Sequence, residues 1–178
     1  DIIDMSEKQK IRVGITQGDI NGIGYEIIFK TFENAEMFDI CTPIIYGSPK
    51  VAAYHRKALE MEIQYNTIER AEEAQNGKLN IINCNSDEVH IELGTSTPEA
   101  GAAAFEALER AVKDCQEGVI DVIVTAPINK SAIQSEQFNF PGHTEYLQER
   151  CGGEDKALMI LCSGEMRVAV ATSHMALR

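Results

Sequence analysis

The feature that most constrains this chain is a run of β-branched residues that ends on a proline. Val119, Ile120, Val122, Ile123 and Val124 read together as a buried strand. Thr125-Ala126-Pro127 closes it, because proline stops the strand and throws the chain into a loop. That loop carries Lys130, a compact point charge on a flexible stem, suited to an anion. A short polar helical segment follows, and then Pro141-Gly142-His143-Thr144-Glu145, a tight turn that presents an imidazole and a hydroxyl and opens the next helix. In α/β proteins ligands bind where loops leave the carboxyl ends of strands. Taken singly, Lys130 reads as a solvated lysine and His143 as a turn histidine. Their joint placement after one strand makes them candidates for a binding site.

The rest of the chain alternates strands and helices, which predicts an α/β fold. Ile11 to Thr16 reads as the first strand, and the loop from Gln17 to Gly24 carries Gly18, Gly22 and Gly24. An apolar-periodic helix follows, with Ile23, Ile27, Ile28 and Thr31 as its inner face. Strand, glycine turn and helix can offer backbone amides to an anion. The spacing G-x-x-x-G-x-G is not the dinucleotide fingerprint, however, and a purely structural turn explains it equally well. A second strand spans Pro43 to Gly47. Ser48-Pro49 then caps a helix reaching about Met61, on which His55, beside Arg56 and Lys57, reads as a surface residue. Glu69 to Gln75 is an acidic helical or loop segment, and Leu79 to Asn83 another strand. His90, between Val89 and Ile91, reads as a strand or edge position.

Thr97-Pro98-Glu99 starts a helix that runs to Glu117 and stops at Gly118. Its alanines, with Leu108 and Cys115 in the stripe, suit close packing on a sheet. A helix is expected from Thr144 to about Arg150. Two apolar strands, Ala157 to Cys162 and Arg167 to Thr172, then form a hairpin through Ser163-Gly164-Glu165-Met166, so at least one antiparallel pair is expected. His174 stands just after the second strand.

Charge narrows the partners. With 178 residues, a formal net charge of -12 and pI near 4.7, the chain repels nucleic acid and anionic membranes. A phosphorylated ligand would be repelled at long range too, so it must be held by a few local donors. Lys130 and the amides of the glycine loop are the candidates. Five cysteines (41, 84, 115, 151 and 162) show no metal-ligand spacing and no even count, which points to a reducing, cytoplasmic location. No signal peptide or apolar span of membrane length is evident. Residues 1–10 read as a disordered or cloning-derived N-terminus, with Met5 as the native start.

Three motifs carry a family resemblance. Thr125-Ala126-Pro127-Ile128-Asn129-Lys130 with Pro141-Gly142-His143-Thr144-Glu145 resembles the signature of the 4-hydroxythreonine-4-phosphate dehydrogenases. Thr16-Gln17-Gly18-Asp19 with Gly22-Ile23-Gly24-Tyr25-Glu26 is similar to that family's TPGDPAGIGPE, and Arg167-Val168-Ala169 with Thr172-Ser173-His174-Met175-Ala176-Leu177 to its RVALxTTHxPL. The departures are Gln17 for one proline, Ile20-Asn21 for Pro-Ala, Tyr25 for another proline, and Ala176 for a third.

The resemblance implies a three-layer mixed sheet with flanking helices, isocitrate-dehydrogenase-like and incomplete here, with residues 11–178 forming the N-terminal part of a two-domain enzyme. It implies NAD as cofactor and a divalent metal (zinc, magnesium or cobalt). His174 would be one of three metal-binding histidines, the other two lying beyond Arg178. His143 and Thr144 match the family's substrate-contacting pair; Lys130 as a partner for phosphate or carboxylate is inferred from its charge alone. The implied reaction is oxidation and decarboxylation of 4-phosphooxy-L-threonine in a cytoplasmic homodimer whose site lies at the subunit interface. This piece alone is then expected to be inactive. A threonate or erythronate 4-phosphate dehydrogenase, an acyl-phosphate transferase of similar fold and a non-catalytic binding domain are the competing readings.

Overall fold

Five short apolar runs assemble into one wholly parallel sheet in the computed structural model, which describes residues 10–85, 89–135, 137–153 and 155–171. The strands are β1 (Ile11–Thr16), β2 (Cys41–Gly47), β3 (Tyr65–Ile68), β4 (Leu79–Asn83) and β5 (Val122–Thr125), in spatial order β3-β4-β2-β1-β5. They belong to a unit spanning Asp1–Asn139; a second unit spans Phe140–Arg178. β2 is central and every one of its residues is buried, as a parallel strand covered on both faces requires. Alternation along it divides the core. Ile44 and Tyr46 pack with Ala107 and Ala111, whereas Ile45 packs with Phe29, Val51 and Ala52. Helices α1 (Gly24–Phe32) and α3 (Pro49–Ala58) thus cover one face, with the short α2 (Met37–Ile40) beside α1, and α4 (Pro98–Gln116) lies on the other.

The α4 start follows from its sequence. Thr97 Oγ1 accepts from the Ala100 amide at 3.2 Å and Pro98 occupies the first turn. A Cβ at Gly101 would overlap the Ala132 backbone, so this glycine lets the segment after β5 lie directly on the helix. At the far end, Asp114 is buried and accepts from the Tyr46 hydroxyl at 2.7 Å and from Arg110 Nε at 3.3 Å, pinning α4 to β2.

Several expectations change. β5 is not buried: it sits at the edge of the five-stranded sheet, with Val122 41% and Val124 49% exposed. With Ile11, Val13, Ile27 and Ile40 these side chains line an open apolar hollow. The buried face of α1 is Tyr25, Ile28, Phe29 and Phe32, an i, i+3, i+4, i+7 set, while Ile23 and Ile27 face outward. β3 and α2 were not anticipated. His90 lies in irregular chain rather than a strand, exposed beside Glu99.

In the second unit, α5 (His143–Cys151) precedes β6 (Met159–Ser163) and β7 (Met166–Val170). The expected hairpin is present, paired from Met159↔Val170 to Ser163↔Met166, but it forms its own two-stranded sheet.

Asp114→Ala leaves the buried Tyr46 hydroxyl without its acceptor and should cost about 1–3 kcal/mol in urea unfolding. Asp114→Asn, which keeps an acceptor, should recover part of that loss. Equal costs for the two variants would contradict the role given to this bond.

Candidate functional site

The carboxyl ends of β1, β2, β4 and β5 lie side by side in a parallel sheet, so the loops leaving them form one rim. The loop leaving β1 is fixed at nearly every residue. The Gln17 amide donates to Tyr46 O at 3.0 Å, Asp19 N to Pro127 O at 2.9 Å, and Gly22 N to Asp19 O at 3.0 Å. Asn21 N donates to Asp19 Oδ1 at 3.0 Å. These four amides are therefore spent within the protein, which favours the structural reading of the glycine turn over an anion cradle. Gly18 has φ of 69°, and a Cβ there would run into the Pro127 carbonyl.

Buried polar side chains complete the support. Gln17 is fully buried; its Nε2 donates to Asn85 Oδ1 at 2.6 Å and to Ala103 O at 3.1 Å. Its Oε1 accepts from the Tyr25 hydroxyl at 2.9 Å and from Ser48 N at 3.0 Å. Burial pushes the Tyr25 phenol well above its ordinary range, so it stays a neutral donor. His55 corrects the expectation of a surface residue. It is 4% exposed, stacks on Tyr25 with ring centroids 5.4 Å apart, and places Nε2 2.7 Å from Ile20 O. Asn21 reaches the other way: its Nδ2 donates to Thr95 O at 2.9 Å and Thr97 Oγ1 at 3.1 Å, and its Oδ1 accepts from Glu92 N at 2.8 Å. Burial raises the Cys84 thiol to about 12, which makes it an inert packing group near neutral pH.

The turn after β5 presents Lys130 by a local device. Asn129 Oδ1 accepts from Ser131 N at 3.0 Å and Ala132 N at 3.1 Å, while Ile133 N donates to Asn129 O. Ile133 is buried and Lys130 is exposed, so the turn is anchored under an ammonium open to solvent. In the second unit His143 is the first residue of α5 and half-buried, and Thr144 beside it is exposed. Tyr146 is buried against Phe140, edge to face at 5.4 Å, and fixes this first turn from below. His143 and Thr144 are thus brought together; Lys130 stands in the other unit. His174 lies outside the described residues. Among the described residues no group of three His, Cys, Asp or Glu side chains is placed to hold a metal ion, so no chemistry is routed through one here.

Asn21→Ala should free the segment 91–96. Cleavage after Glu92 by a glutamate-specific protease, in the folded protein, is expected to quicken by about tenfold, the equivalent of one or two lost hydrogen bonds. An unchanged cleavage rate would remove Asn21 as the anchor.

Comparison with known proteins places the geometry in context. Residues 39–178 match the family model described as pyridoxal phosphate biosynthetic protein PdxA. The chain is 58% identical over 172 residues to a 4-hydroxythreonine-4-phosphate dehydrogenase of Bacteroides thetaiotaomicron, covering 97% of this chain and 47% of that protein. It is 35% identical to a putative D-threonate 4-phosphate dehydrogenase of Oceanobacillus iheyensis, over 93% of this chain and 50% of the relative. A crystal structure of a 4-hydroxythreonine-4-phosphate dehydrogenase from Burkholderia phymatum superposes with a TM-score of 0.82 at 33% identity, covering 94% of this chain and 51% of that one. The chain spans about half the length of the curated relatives it matches.

Proposed function

Because the chain belongs to the PdxA family, we propose that the full-length protein is an NAD-dependent, metal-requiring dehydrogenase that oxidises and decarboxylates 4-phosphooxy-L-threonine for pyridoxal phosphate biosynthesis. The observation that carries the substrate is the 58% identity to a relative so named, over nearly the whole chain. NAD, when bound, supplies the hydride acceptor. The Lys130 ammonium pairs with the substrate's phosphate or carboxylate, an attraction that matters because the chain as a whole is acidic. The His143 imidazole and the Thr144 hydroxyl hydrogen-bond the substrate from the first turn of α5, where the helix dipole also favours an anion. His174 is the metal ligand in this reading. We place the protein in the cytoplasm as a homodimer with its site at the subunit interface; no helix among the described residues is long and apolar enough to cross a membrane.

A second substrate deserves a parallel assay, since relatives at 34–35% identity are named putative D-threonate 4-phosphate dehydrogenases. Full-length protein, NAD and a divalent metal should form NADH with 4-phosphooxy-L-threonine at a kcat/KM well above that for D-threonate 4-phosphate. Lys130→Ala should raise KM by about tenfold to a hundredfold, the range for a lost charged hydrogen bond. The 178-residue piece alone should show no turnover. Absence of NADH with either substrate, or turnover by the isolated piece, would overturn the proposal.

A further inference from the structure

Gln17 and Tyr25 stand at the two ends of the loop that leaves β1 and enters α1. They are hydrogen-bonded to one another, Tyr25 hydroxyl to Gln17 Oε1, at 2.9 Å. Both also meet Ser48, the N-cap of α3: its amide lies 3.0 Å from Gln17 Oε1 and 3.1 Å from the Tyr25 oxygen, and its carbonyl, 3.1 Å from that oxygen, shares the one Tyr25 hydroxyl proton with Gln17 Oε1. All three residues are buried, Gln17 without any exposed surface. Gly47 shows how closely the cluster fits, because a Cβ there would lie 2.6 Å from Gln17 Oε1 and 2.9 Å from Gln17 Cβ. Beyond the pair, Gln17 Nε2 continues to Asn85, whose Nδ2 donates to Ala103 O at 3.1 Å and Glu106 Oε2 at 2.7 Å. Two residues past Gln17, Asp19 N holds Pro127 O, three residues before Lys130.

We propose that Gln17 and Tyr25 work as one positioning unit: a buried side-chain lock, closed on Ser48, sets the loop leaving β1, and through the Asp19–Pro127 bond that loop places the turn carrying Lys130. A buried network of directed bonds restrains the loop backbone, and its two members are coupled because each bonds the other and both meet the Ser48 amide. Neither side chain touches the substrate. The kinetic part rests on the assignment of Lys130 to the substrate's anionic group; the folding part does not.

The test is a double-mutant cycle in the full-length protein with Gln17→Met, Tyr25→Phe and the pair. Each single change is expected to lower the folding constant by about tenfold, and the double change by far less than the hundredfold that independence would give. Should Gln17→Met fail to fold, amide exchange of Asp19 in Tyr25→Phe is measured instead: exchange faster than that of the Ile15 amide is expected, and unchanged protection of Asp19 would overturn the unit. Tyr25→Phe should also raise KM for the phosphorylated hydroxy acid several-fold with kcat nearly unchanged, a split that a merely stabilising bond would not produce. Additive folding losses would overturn the unit. Coupled folding losses with an unmoved KM would overturn its link to Lys130, and if Lys130→Ala also left KM unmoved the fault would lie in the assignment of Lys130 itself.

Discussion

One backbone hydrogen bond joins the loops leaving two neighbouring strands, from Asp19 N to Pro127 O, and the relative placing of those two loops depends on it. It forms only because the chain turns through a left-handed conformation at Gly18, the one residue type that both adopts that φ without strain and leaves room for the Pro127 carbonyl. The bond itself adds about 0.5–1.5 kcal/mol. Its larger effect is geometric: it ties the start of the Lys130 turn to a loop held by His55 on one side and Asn21 on the other.

The sheet and the rim are stabilised by different physics. In the middle of the strands, Ile44, Ile45, Ile81 and Ile82 are buried and the driving force is removal of apolar surface from water. At the carboxyl ends, buried Gln17, Asn21, Ser48 and Asn85 take over, and every such group demands a partner. Precise placement of loops matters most where a ligand is to be bound, and polar bonds with fixed directions deliver it better than apolar contact, which has none.

Much of this was legible from the residues. Thr97-Pro98-Glu99 and Ser48-Pro49 marked two helix starts, and the alternating pattern of runs marked the α/β class. Misreadings have specific causes. On α1 the isoleucines suggested one face, but Tyr25, Phe29 and Phe32 bury more surface and took the core. For β5 a run rich in β-branched residues implied a buried strand, whereas edge position is a tertiary property that composition does not encode. His55 beside Arg56 and Lys57 looked solvated. Its inward turn depends on Tyr25 and the Ile20 carbonyl, 30 and 35 residues away in sequence. No local pattern signals such a partner. The turn that carries Lys130 and the helix start at His143 and Thr144 were legible because turn chemistry is local; the network behind the loop leaving β1 was missed because it is assembled from four separate segments.

The central claim is that the loop leaving β1 is a rigid support rather than a mobile flap. Amide hydrogen exchange of Asp19, measured residue by residue in the full-length protein, tests it most directly. Protection comparable to that of the Ile15 amide within β1 is the predicted result. Exchange at the rate of an open surface loop would contradict the account.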